Sequence, residues 1–198
     1  MQVNEIFFVG SNKYGQSGTG EKNSVKVIES PRSYDFGVFI KQVSCGYHHS
    51  ALLTISGLVY TMGSNIHGTL GTSHEEINYS FLPILVEGLE GVSKIESGAF
   101  HLCALTENGE VFSWGRGMDG QLGIGTNKNS SAAQRVLLED EVQDLSCGTN
   151  HTLLVTSRGD VFAFGNGIYG QLGTGNNKNQ QRPTKIRLDT KISMVAAG

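Results

Sequence analysis

Residues 148–175 read GTNHTLLVTSRGDVFAFGNGIYGQLGTG, and this stretch decides the fold. His151 opens an apolar run, Thr152 to Val155, and a turn ending in Gly159 follows. The chain returns as Val161-Phe162-Ala163-Phe164, β-branched and aromatic residues suited to a strand. A glycine-rich corner from Gly165 to Gly175 comes next. The same order stands one repeat earlier, where residues 98–125 read GAFHLCALTENGEVFSWGRGMDGQLGIG. There the turn is Asn108-Gly109, a pair that accepts the positive φ of a two-residue hairpin.

Working outward, the glycine that ends the returning strand recurs as Gly10, Gly63, Gly115 (after Trp114) and Gly165, spaced 53, 52 and 50 residues. A second mark is Gly46, Gly98, Gly148 and Gly198, spaced 52, 50 and 50. His49, His101 and His151 each lie three residues after such a glycine. Each unit then predicts four short strands: the run after His, the return, an outer strand and a closing strand such as Val142–Cys147. The outer strands are expected at Lys26–Ile28, Ile84–Val86, Arg135–Leu138 and Lys185–Leu188. No stretch keeps a helical period. Four strands per ~50 residues match one propeller blade. The chain reads as one all-β, partial β-propeller, with units of approximately 1–46, 47–98, 99–148 and 149–198.

The segments Gly148–His151, Val161–Gly165 and Gly170–Gly175, with their counterparts at 98–125, resemble the regulator of chromosome condensation repeat. The resemblance runs from about Ile6 to Gly198. Val9 and Met62 depart from it, standing where an aromatic precedes the glycine, as do Ser17 before Gly18 and Thr72-Ser73 after Gly71. The resemblance implies a ring of seven blades that serves as a protein-interaction platform, and a founding member similar to a chromatin-bound guanine-nucleotide exchange factor. It also implies partners such as a small GTPase or a cytoskeletal or ciliary component. The start aligns Ile6–Val9 with Val59–Met62, without a His strand before it, and Gly198 aligns with Gly148. The expectation is about half a ring, its terminal blades covered by further chain or by a partner.

Composition narrows the function. Lys+Arg is 15 and Asp+Glu 18, a formal net charge of -3, which lacks the basic surface that nucleic-acid binding needs. The three cysteines Cys45, Cys103 and Cys147 are an odd set and fit a reducing compartment. No basic leader or membrane-length apolar run is visible. The reading is intracellular, cytoplasmic with nucleus or cilium as alternatives.

Gly115–Gly120 and Gly165–Gly170 fit the dinucleotide pattern G-x-G-x-x-G, but no helix follows to meet a pyrophosphate. No cofactor is expected. Cys45 with His48 and His49, and Cys147 with His151, invite a metal, but zinc needs about four converging ligands. The preferred reading has no metal. Each His caps backbone between blades, and Cys45 and Cys147 fill apolar slots beside Gly46 and Gly148. No strained nucleophile turn or acid–base pair is present, so the chain does not read as an enzyme.

Residues that vary inside the fixed corner frame are the candidates for partner binding: Tyr14, His67, Met118, Asp119, Ile168 and Tyr169. The corners must share one face of the ring. Two readings stay open for them, a contact surface or packing between blades.

Overall fold

The computed structural model describes residues 5–20, 26–72 and 77–198; Met1–Asn4 and Ser73, which enter the reading above, lie outside the described residues. The chain is all-β. Its elements are β1 (Glu5–Ser11), β2 (Val27–Asp35), β3 (Ile40–Cys45), β4 (His49–Thr54), β5 (Val59–Ser64), β6 (Tyr79–Leu85) and β7 (Val92–Ser97). They continue as β8 (His101–Thr106), β9 (Val111–Gly115), β10 (Ser130–Val136), β11 (Val142–Cys147), β12 (His151–Thr156), β13 (Val161–Gly165) and β14 (Gln180–Lys185). β1 pairs with β2, and the rest form three four-stranded sheets in consecutive order, β3 to β6, β7 to β10 and β11 to β14. The pairings are antiparallel. A sequence unit and a sheet are offset by one strand: the strand that closes one unit becomes the first strand of the next sheet.

The inner strands form where the repeat puts them. β4, β8 and β12 are almost wholly buried, which explains their continuous apolar runs. The outer strands differ from expectation. They overlap the predicted runs only in part: the first extends later, over Val27–Asp35, and the others start earlier, at Tyr79–Leu85, Ser130–Val136 and Gln180–Lys185. Of the predicted outer run Lys185–Leu188, only Lys185 is in a strand. These strands are largely exposed, so burial imposes no apolar pattern on them. Pro31, Pro83 and Pro183 fall inside them, tolerable because an edge strand has one side free of ladder bonds.

The core sits between sheets. Ala51 and Leu53 pack with Ile95, Leu102 and Trp114 at the first junction, and Leu105 and Val111 pack with Leu145, Leu154 and Phe164 at the second. Gln42, Lys94 and Asp144 occupy one repeat position, each just after a register shift in the innermost strand. Each reaches the neighbouring innermost segment. Gln42 donates to the Ile95 carbonyl at 2.7 Å and accepts from its N–H at 3.0 Å. Lys94 donates to the Leu145 carbonyl at 2.8 Å and to Asp144 at 2.7 Å, and Asp144 accepts from the Val195 N–H at 3.0 Å. Burial alone would lower the Lys94 pKa; the bond and charge of Asp144, joined by Glu96, outweigh it and raise the net value.

The glycine before each repeated His is explained by space. A Cβ on Gly98 would lie 2.1 Å from His101 Cε1 and 2.6 Å from the Gly148 carbonyl oxygen. Gly46 and Gly148 stand in the same relation to His49 and His151. The imidazole therefore lies directly on the glycine. Gly98→Ala is expected to cost roughly 1–3 kcal/mol by overpacking, read as a lower urea midpoint at unchanged m-value.

Candidate interaction face

An antiparallel meander turns at alternate ends of its strands. The β3–β4, β7–β8 and β11–β12 loops therefore share one face with the glycine corners that follow β1, β5, β9 and β13. Ring contacts bear this out. Tyr14 packs on His48 at 4.8 Å between centroids, and Tyr47 lies 4.7 Å from His48 and 5.5 Å from Phe100. His67 meets Phe100 at 5.2 Å. One aromatic group thus joins a corner of the first sheet, the inner loops of the next two, and the corner between them. His48, the extra histidine of its repeat, sits at the centre with Nδ1 buried and without a hydrogen-bond partner among the described residues.

The next corner is polar. Arg116 Nη1 donates to Asp119 at 2.7 Å and to the Asn150 side-chain oxygen at 2.9 Å, and Asn166 Nδ2 reaches Asp119 at 3.4 Å. Burial, then the Arg116 charge, lowers the pKa of His67. Corner shape is held by glutamine side chains: Gln16, Gln121 and Gln171 each accept from the backbone N–H two residues before, that of Tyr14, Asp119 or Tyr169. Beneath, the corners after β1, β5 and β9 pack on the outer strand of the following sheet, where Gly15 meets Ser80 and Phe81. Gly68 meets Ser130 and Ser131, and Gly120 meets Gln180 and Gln181.

The six residues singled out from sequence divide between the two readings left open. Met118, Ile168 and Tyr169 are exposed, Tyr169 by 86%. Tyr14, His67 and Asp119 are half-buried and engaged with neighbouring loops. Ile66, beside His67 in its varying corner pair, is exposed by 65%, and sequence reasoning passed over Tyr47, exposed by 69% on the same face. Tyr47 lies in an inner loop rather than a corner, and its repeat equivalents Ala99 and Thr149 are not aromatic.

The repeated histidines behave differently from expectation. His101 bonds the Thr152 hydroxyl at 3.0 Å rather than capping backbone, and His49 Nε2 has no hydrogen-bond partner among the described residues. Burial, with the nearby His101 and His48, lowers the His49 pKa to about 3. Cys45 is exposed and fills no apolar slot, whereas Cys103 and Cys147 are buried. Neither suggested metal grouping forms among the described residues. The donors that do converge are His101, Cys103 and Cys147. The Cys103 thiol and burial push the Cys147 thiol well up, so Cys147 is not a poised nucleophile.

Comparison with known proteins agrees with this architecture. A family profile described as RCC1-like domain matches residues 2–198. The chain is 37% identical over 143 residues to serine/threonine-protein kinase Nek8 of Danio rerio, covering 70% of this chain and 20% of that protein. It is 34% identical over 147 residues to ultraviolet-B receptor UVR8 of Arabidopsis thaliana, covering 72% of this chain and 33% of the receptor. It therefore spans a third or less of these relatives. Among solved structures, human WBSCR16 superposes with a TM-score of 0.87 at 24% identity over 100% of this chain and 52% of that one. Prp20p of Saccharomyces cerevisiae, studied for binding to Gsp1p and histones, superposes with a TM-score of 0.80 at 23% identity, over 98% and 50%. At that identity these two likenesses speak for the fold alone. With the profile spanning the blades described above, the chain belongs to the RCC1-like domain family.

Proposed function

We infer that the chain is a non-catalytic propeller scaffold that binds another protein through the face carrying the glycine corners and inner loops. The observation that carries this is the exposure of Tyr47, Ile66, Met118, Ile168 and Tyr169 together on that face. Exposed aromatic, Met and aliphatic side chains on loops held by a rigid frame are the composition of contact surfaces. The aromatic group around His48 and the Arg116–Asp119–Asn150 network fix the loops beforehand, which lowers the entropy lost on binding. The free thiols accord with a reducing cell interior, the compartment this reading assumes. In a complex purified with its native partner, the double variant Met118→Ala/Tyr169→Ala is expected to weaken binding by roughly 10-fold or more at unchanged melting temperature. Affinity equal to the parent's would remove this face from the reading.

A second reading, exchange activity on a Ran-type small GTPase, is supported by the likeness to Prp20p and its reported binding to Gsp1p. Nucleotide release from such a GTPase accelerated by orders of magnitude would favour it over the scaffold.

A further inference from the structure

We propose that His101, Cys103, Cys147 and Thr152 form a zinc-binding site between the second and third four-stranded sheets. Nε2 of His101 lies 3.0 Å from the Thr152 hydroxyl oxygen, and both thiol sulfurs lie 3.9 Å from that same oxygen. The imidazole and the two thiols bring their donor atoms within 4.8 Å of one another. Zinc bonds of ~2.3 Å to sulfur and ~2.0–2.1 Å to nitrogen set tetrahedral edges of roughly 3.3–3.8 Å. The distances around Thr152 bracket those edges, so the donors need close by less than about 1 Å to take a zinc ion.

The Thr152 hydroxyl donates to the Gln121 carbonyl oxygen at 3.1 Å, so toward the imidazole and the thiols its oxygen is available as an acceptor. Two thiols and an imidazole are a donor set suited to zinc. All four residues are buried, so an ion held there would be shielded from water. Entry is short: Cys147 helps line a shallow depression beside Gly98 and Gly148, on the side of the inner strands.

The preceding junction serves as an internal control. There His49 stands for His101, Ala51 for Cys103, Ser97 for Cys147 and Leu102 for Thr152. Among the described residues, that junction packs with one imidazole and no sulfur, and His49 Nε2 and Ser97 Oγ have no hydrogen-bond partners there. The fold therefore asks only for small side chains at the two cysteine positions. The coincidence of all four donors at one junction is what the packing does not explain.

The test uses the chain freed of metal by chelator and kept reduced, titrated with cobalt(II) and then zinc. About one equivalent of cobalt should bind, giving thiolate-to-metal charge transfer in the near ultraviolet and tetrahedral bands in the visible, and zinc should displace it. Zinc should also raise the melting temperature. Cys103→Ala and Cys147→Ser copy the preceding junction, so both should fold, and each should lose affinity by more than roughly 100-fold. Cys45→Ala should bind as the parent does. Absence of the charge-transfer band in the parent overturns the site. So does a band that persists in both Cys103→Ala and Cys147→Ser, or one that disappears with Cys45→Ala.

Discussion

Trp114→Ala is expected to lower the unfolding free energy by about 3–5 kcal/mol, among the largest effects of any single truncation in the chain. The indole is fully buried and belongs to the core between the first two four-stranded sheets. Its Nε1 donates to the Thr69 carbonyl oxygen at 3.0 Å, in the corner of the preceding sheet. A Cβ placed on Gly71 of that corner would meet the indole at 3.0 Å, so ring and corner are fitted to each other. Truncation opens a cavity and leaves a buried carbonyl without its donor. Phe164 holds the same repeat position in the next sheet, against Gly123, with no N–H to give. Trp114→Phe should therefore lose chiefly the hydrogen bond, roughly 1–3 kcal/mol. Chemical denaturation of the two variants separates cavity from bond. Unchanged stability in Trp114→Phe would show that the bond to Thr69 contributes nothing to the junction.

Acid should destabilise the fold well before its carboxylates protonate. The His49 pKa is about 3 in the folded chain, against 6.5 for an ordinary histidine. Between those values the unfolded chain binds a proton that the folded chain excludes. The stability from keeping His49 neutral is fully present above pH 6.5 and is lost as pH falls toward 3. At about 1.36 kcal/mol per pH unit, the loss near pH 4.5 is roughly 2–3 kcal/mol. Burial also lowers the His151 pKa, so its contribution has the same sign. Asp160, held down to about 2 by hydrogen bonds from Lys185 and Lys191, acts in a separate window below pH 3.8. Urea midpoints from pH 7.5 to 4.5 should therefore slope downward, and His49→Leu should flatten most of the slope. A parallel slope in His49→Leu would move its origin elsewhere.

The sheets were legible because their inner strands carry two periods at once. Alternation or a continuous apolar run marks each strand, and the fifty-residue spacing of glycine and histidine marks each sheet. The outer strands were legible only at one end because β2 and β14 are held by backbone pairing at an exposed edge, where side-chain type is unconstrained. Gln42, Lys94 and Asp144 escaped for another reason. They do one job, reaching the neighbouring innermost segment, with three different side chains, so no residue pattern repeats. The candidate face was half legible. The corners at Met118, Ile168 and Tyr169 sit in a repeated frame, whereas Tyr47 is an aromatic where its equivalents are Ala99 and Thr149. The convergence of Cys103 with Cys147 depends on the packing angle between sheets, which no spacing within the chain encodes.

Site-specific photo-crosslinking in cells addresses the interaction face most directly. A benzophenone side chain at Tyr169 occupies the corner face, and one at Leu137, exposed by 67%, occupies the opposite face between β10 and β11. The scaffold reading predicts a discrete protein adduct from position 169 and from position 118, and none from position 137. An adduct formed from position 137 alone would contradict it.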